Sequence, residues 1–258
     1  MNSRRENAIP RGAKSAPQVL YKYRQWNEHS KSMIKGQVYF AKREDLNDPF
    51  EFQWVVKRPE TFEKAIELAT ILMRESYSHL NDSDDEYHWH WRNITDQIWS
   101  GKYFSPSYKM FRQVQLGVFC ACEIEDDIRM WSHYASNHTG VCIGFRTQGF
   151  GRRFGAVQYQ DQPPVFDGIK LFGPEKQILD APTIKSLDWK YEREWRTFFV
   201  PGVKQLKKGI IATVIIGCEM PRKERDEVVQ FTRDADPSIE LYEAKLSETE
   251  FSLDIVPL

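Results

Sequence analysis

Cysteine is scarce: Cys120, Cys122, Cys142 and Cys218 are the four thiols of a 258-residue chain. Four cannot staple a protein of this length, and their spacing contains no paired CxxC, so a disulfide framework and a zinc ribbon are both excluded. Reduced, mostly buried thiols are expected, and with them a cytoplasmic location. Long apolar runs are also missing. None approaches the ~18 residues of a spanning helix, so no membrane association is expected. Residues 1–16 have Arg and Ser but not the apolar stretch of a secretory signal, and read as a disordered arm ahead of one domain, 17–258. Neither sign of charge dominates, with 36 Lys and Arg against 37 Asp and Glu and a net charge of -1. Sequence-blind binding of nucleic acid draws on an excess of cations, so no broad nucleic-acid surface is expected. The dinucleotide-binding glycine fingerprint, the P-loop signature, HExxH and GxSxG are all absent, which removes P-loop hydrolysis and α/β-hydrolase chemistry.

Aromatic residues are what the chain has in quantity. Eight Trp, eleven Tyr and sixteen Phe make up 14% of it, in a sequence whose mean hydropathy is only -0.60. Large rings must therefore carry much of the burial. Alternation predicts strands at Gln18–Arg24, Gln37–Ala41, Gly117–Glu123, Val141–Phe145, Tyr191–Val200, Ile239–Leu246 and Phe251–Val256. The aliphatic run Ile210–Gly217 suits the centre of a sheet. Asn27 is placed to cap a helix that Gly36 ends. Helical spacing of Phe62, Ala65, Ile66, Ala69, Leu72, Met73, Tyr77 and Leu80 predicts a helix over Thr61–Leu80. Another is expected after Glu125-Asp126-Asp127, carrying Met130, Trp131, Tyr134 and His138 and stopped by Thr139-Gly140. A short charged helix should open at Pro221. Residues 149–180, rich in Gly and Pro, read largely as loop with a short strand at Ala156–Tyr159. About eight strands and four or five helices imply an α+β fold: a single domain with a mixed, mostly antiparallel sheet, whole or split, and flanking helices.

Four clusters carry candidate chemistry. Lys22 and Arg24 share one face of the first strand, where two cations can hold a phosphate or pyrophosphate, beside Tyr21 and Tyr23. The same pattern also suits an exposed strand face next to buried tyrosines. The turn Asn47-Asp48-Pro49-Phe50-Glu51 presents Asn47, Asp48 and Glu51 together, to position a hydroxyl, act as a base or build its own turn. On the helix expected at 129–138, Arg129, His133 and Asn137 fall at four-residue steps beside an aromatic stripe of Trp131 and Tyr134. That is either a site wall, with His133 as its acid–base group, or an ordinary surface stripe. Finally, a strand through Tyr191–Arg196 would project Glu192, Glu194 and Arg196 from one face. Adjacent carboxylates repel, which lifts one pKa towards proton-transfer chemistry, whereas Arg196 turns the same row into a structural ion-pair ladder. His88-Trp89-His90 has a metal-like look, but no third ligand stands at fixed spacing and no metal site is assigned.

In this order, the segments LYKYR, GQVYFAKREDLNDPFE, FCACE, MWSHYASNHTGVCIGF, WKYEREWRTF, IIGCEMP and IELYEAKLSETEFSLDIVPL resemble a large bacterial family of domains of unknown function, family 2971. The family brings no assigned activity; what the resemblance implies is only that a defence or toxin setting, phage defence included, would be unsurprising. A more distant resemblance is to ADP-ribosyltransferases. It implies NAD as substrate, with Arg24 on the early NAD-binding strand and Lys22 and Arg24 holding the pyrophosphate. Tyr39–Asp48 would lie near the nicotinamide, Glu194 would be the carboxylate that stabilises an oxocarbenium-like sugar, and Glu192 would deprotonate the acceptor. Tyr23, Asn47, Asp48, Glu51, Trp131, Tyr134 and Arg196 complete the expected binding set, with a small-molecule nucleotide as partner. Two other readings stand beside it. One is a nuclease in which Asp48, Glu51, Glu192 and Glu194 share a magnesium ion and His133 is the base. The other is a non-catalytic ligand-sensing or protein-interaction domain with an aromatic pocket.

Overall fold

The alternating strands come together in an eight-stranded sheet whose members, numbered in chain order, are β1 (Val19–Arg24), β2 (Gly117–Cys122), β3 (Val141–Arg146), β4 (Gly155–Ala156), β5 (Glu194–Phe199), β6 (Ile211–Ile216), β7 (Glu240–Leu246) and β8 (Leu253–Pro257). Their spatial order is β8-β7-β6-β3-β1-β2-β5-β4. Neighbours pair antiparallel except β6 and β7, which run parallel. A parallel pair needs a crossover, and the charged helix Arg222–Ala235 supplies it. The class is therefore the expected one: α+β, with a mixed, mostly antiparallel sheet. A computed structural model describes residues 15–104, 116–172 and 181–258.

The chain divides into two compact units. The first draws on 1–47, 115–159 and 187–258, the second on 48–114 and 160–186. The large sheet belongs to the first unit. Its central strands are covered on both faces, as the nearly continuous apolar runs of β3 and β6 require. Leu20, Phe119, Ile143, Phe145 and Val214 pack on one face with Met33 and Ile34 of the helix Glu28–Ile34 and Val228 of the crossover helix. Tyr23, Cys122, Cys142 and Ile215 pack on the other with Met130 and Trp131 of the helix Ile128–Tyr134. Asn27 caps the helix Glu28–Ile34 through the His29 and Ser30 amides, and Gly36 follows it at φ 83°, as anticipated. A two-stranded ribbon, Gln37–Phe40 with Gly202–Gln205, completes this unit.

The second unit is built on the helices Phe62–Ser76 and Asp85–Trp99, which bury Leu68, Leu72, Met73, Ile94 and Ile98 between them. Thr61 caps the first through the Lys64 amide. The second helix places His90 against Tyr77, with ring centroids 4.4 Å apart. Short parallel strands Val55–Lys57 and Val165–Asp167 flank the pair.

Four expectations need correction. The helix predicted over Thr61–Leu80 stops at Ser76, with Tyr77 as its C-cap. The helix after Asp127 is shorter than its apolar spacing suggests: it ends at Tyr134, and Ser136, Asn137 and His138 all take left-handed backbone angles, with φ 51°, 52° and 68°. Asn137 therefore leaves the helical line of Arg129 and His133. The Tyr191–Val200 strand begins only at Glu194; Leu187–Glu192 forms a 3-10 helix, and Arg193 turns the chain at φ 42°. Within 149–172, more is ordered than a loop with one strand: β4, strands Gln158–Gln160 and Val165–Asp167, and a helix at Gly168–Phe172. Strands of two or three residues are too short to leave a visible alternation; residues 173–180 of that stretch lie outside the described residues.

Two glycines decide how the left-handed turn meets the sheet. The Gly217 amide donates to the Gly140 carbonyl at 2.9 Å. A Cβ on Gly140 would stand 2.3 Å from the Arg24 carbonyl oxygen, and one on Gly217 only 2.0 Å from that of His138. Gly217→Ala should therefore lower stability by about 1–3 kcal/mol, the range for an added methyl without space. Urea unfolding measures it, and an unchanged midpoint would mean that the backbone yields at no cost.

Candidate functional site

Tyr134, on the last turn of the helix Ile128–Tyr134, donates its hydroxyl to Glu192 Oε1 at 2.6 Å and accepts from Asn47 Nδ2 at 3.1 Å. Glu192 is buried, at 4% exposure. The left-handed turn at Arg193 takes it out of line with the strand that follows. Glu192 and Glu194 are thus not neighbours on one strand face, and the expected row of three charges does not form.

Glu194 meets Arg196 instead. Nε of Arg196 donates to Glu194 Oε1 at 2.8 Å and Nη2 to Oε2 at 3.0 Å, a two-pronged pair in which Arg196 is wholly buried. The Glu194 amide donates to the Tyr159 hydroxyl at 2.7 Å. Charges buried this deeply need such a partner, because either one left alone is strongly destabilising. On this geometry Glu194 and Arg196 hold the start of β5 in place.

Both cations of β1 lie close by. The Lys22 ammonium donates to the Cys120 carbonyl and sits 4.6 Å over the Phe119 ring. Burial pushes its pKa down to about 8, the neighbouring Arg24 adds to the fall, and Cys120, Glu194 and Glu192 pull the other way. Burial also works against the charge of Arg24, lowering its pKa, while Cys120 and Tyr134 favour the charged form. A guanidinium stays charged regardless. Its Nε is buried and has no hydrogen-bond partner.

The remaining predicted residues separate into several settings. Trp131 is fully buried; its Nε1 donates to the Glu125 carbonyl at 2.9 Å and its ring meets Tyr23 edge-on at 5.3 Å. Tyr23 is buried as well and donates to the Ile124 carbonyl at 2.9 Å. His133 is exposed, with Nδ1 3.0 Å from the Tyr191 hydroxyl. Asp48 and Glu51 belong to the second unit. There Asp48 accepts from the Phe50 amide at 2.8 Å, and the Lys185 ammonium stands 3.5 Å from the Glu51 carboxylate, both side chains buried. Within the first unit, then, Asn47, Tyr134 and Glu192 are joined by hydrogen bonds, while Lys22 lies within electrostatic reach of Glu192 and Arg24 within that of Tyr134. Tyr191 and Arg129 escaped the sequence reading as partners. Arg129 lies 4.6 Å over the Tyr191 ring and pairs with Asp127 at 2.7 Å. Tyr191 stands 58 residues from His133, and no local pattern links positions that far apart. Among the described residues no group of three or more His, Cys, Asp or Glu side chains is arranged to hold a metal ion, and no helix is long and apolar enough to cross a membrane.

The depressed Lys22 pKa fixes a sign. A lysine that titrates lower folded than unfolded releases its proton first in the native state, so its burial opposes folding fully below about pH 8. That penalty fades as pH rises towards the unfolded value. Relative to Lys22→Met, the wild type should gain stability between about pH 8 and 10.5. Parallel unfolding curves over that range would disprove the shift.

No curated protein and no solved structure matches the chain. Residues 130–197, which contain Tyr134, Glu192, Glu194 and Arg196, match the model of a family described as a protein of unknown function, DUF2971, the family to which the sequence motifs pointed.

Proposed function

We propose that the first unit binds an NAD-type dinucleotide and breaks its nicotinamide glycosidic bond, an ADP-ribosyltransferase-like reaction. The observation that carries this reading is the buried, unpartnered Nε of Arg24 on the same strand face as the half-buried Lys22. An unsatisfied buried donor costs about 1–3 kcal/mol. A phosphate oxygen supplied by a ligand would satisfy the Arg24 donor and stabilise the charge on Lys22.

Glu192, rather than Glu194, is the reacting carboxylate in this scheme, because Glu194 is held on both oxygens by Arg196. Tyr134, steadied by Asn47, fixes one oxygen of Glu192 and leaves the carboxylate oriented. Nicotinamide departs with the bonding pair, and the negative carboxylate stabilises the cationic sugar carbon that remains. The acceptor then attacks that carbon and gives its proton to Glu192. The shared-magnesium nuclease has no comparable support, since Lys185 neutralises Glu51 and Arg196 neutralises Glu194. A defence or toxin setting is the biological context that fits this chemistry.

Millimolar NAD should raise the melting temperature of the wild type and yield free nicotinamide. Glu192→Gln should keep the thermal shift and lose turnover by about 100-fold or more. Arg24→Ala should lose the thermal shift. Absence of any shift with NAD would defeat the reading; a shift without nicotinamide release by the wild type would leave a ligand-sensing domain in its place.

A further inference from the structure

Two segments of the first unit carry cations and no acid. Residues 146–154, RTQGFGRRF, contain Arg146, Arg152 and Arg153, and residues 199–210, FVPGVKQLKKGI, contain Lys204, Lys207 and Lys208. The charges of the whole chain nearly cancel, so this is a local concentration that the total conceals.

The fold sets the two segments side by side. The Arg146 amide donates to the Ile210 carbonyl at 2.8 Å, and a Cβ on Gly149 would come within 2.7 Å of the Ile210 side chain. The Phe199 ring is flanked by the Arg152 guanidinium at 4.2 Å and the Lys204 ammonium at 4.5 Å. Arg146, Arg152, Arg153, Lys207 and Lys208 are exposed, and Lys204 is half-buried. Among the described residues none of the six forms an ion pair. Asp236 lies within electrostatic reach of Lys208. Like charges held together repel one another, and a polyanion relieves that repulsion when it binds.

We propose that this surface docks the phosphate backbone of a single-stranded nucleic acid. Half of its cations are arginines, whose planar fork matches phosphate oxygens. Rings stand among or beside the charges: Phe199 between two of them, and Tyr39, 44% exposed, opposite Val203 on the adjoining ribbon. Cations interleaved with aromatic faces are what a flexible strand of phosphates and bases engages. An anionic membrane fits less well, because the exposed apolar side chains there are Val200 and Val203, too short to reach past lysine and arginine into lipid. An acidic protein partner is disfavoured by the lack of any carboxylate in the two segments, which leaves no alternation of sign to set a docking register. The proposal stands apart from the dinucleotide reading, since none of its six cations takes part in that reading.

The test is fluorescence anisotropy of a labelled oligothymidylate of about 20 nucleotides with the full chain at low salt. Binding should appear with Kd below ~100 µM, and log Kd should rise with log salt at a slope of about 3–4, as for four to six neutralised phosphates. Arg152→Glu with Arg153→Glu, and separately Lys207→Glu with Lys208→Glu, should each weaken binding at least about tenfold. Lys223→Glu, on the exposed face of the crossover helix, should not, and all variants should melt with the wild type. Absence of oligonucleotide binding, equal affinity in the charge-reversed proteins, or binding confined to phosphatidylserine vesicles would each overturn the proposal.

Discussion

One backbone hydrogen bond, from the Gly217 amide to the Gly140 carbonyl, ties the end of β6 to the left-handed turn that follows the helix Ile128–Tyr134. Neither residue has room for a side chain. The turn packs directly on the sheet, so the helix before it is fixed in position, with Trp131 buried beneath and Tyr134 at its end. Tyr134 in turn fixes Glu192. A constraint of sterics and backbone hydrogen bonding thus sets the geometry of the polar cluster, and the hydroxyl–carboxylate contact at 2.6 Å is its outcome.

Electrostatics inside the molecule follow two patterns. Glu194 with Arg196, and Glu51 with Lys185, are buried pairs in which each charge offsets the desolvation of the other. Lys22 and Arg24 differ, because they are like charges placed together, and burial acts against both. Paired groups hold the fold together. Groups whose charge is only partly answered from within are the ones that gain most from an incoming anion, which is why the functional reading rests on β1 and not on β5.

Much of the architecture was legible from pattern alone. The run Ile210–Gly217 announced a central strand because only a strand covered on both faces tolerates apolar residues at nearly every position, with Thr213 alone interrupting them. Asn27 and Gly36 marked helix ends for reasons confined to a few neighbouring residues. The errors fell where backbone conformation overrode side-chain spacing. His138 and Asn137 continue a helical period in sequence but lie in a left-handed turn, and Glu192 continues a strand period but ends a 3-10 helix. The candidate groups were visible as residue types; their partners were not, since Tyr134 with Glu192 and His133 with Tyr191 are each separated by 58 residues.

By itself, then, the sequence determined the fold class, the identity of the central strands, the caps, and the even balance of total charge, because these depend on local spacing and composition. Tertiary structure decided which acid is bound to an arginine and which to a tyrosine, that Trp131 serves the core, and that two cationic segments far apart in the chain form one surface. Those outcomes depend on strand register and on a handful of left-handed residues, and neither leaves a periodic trace along the chain.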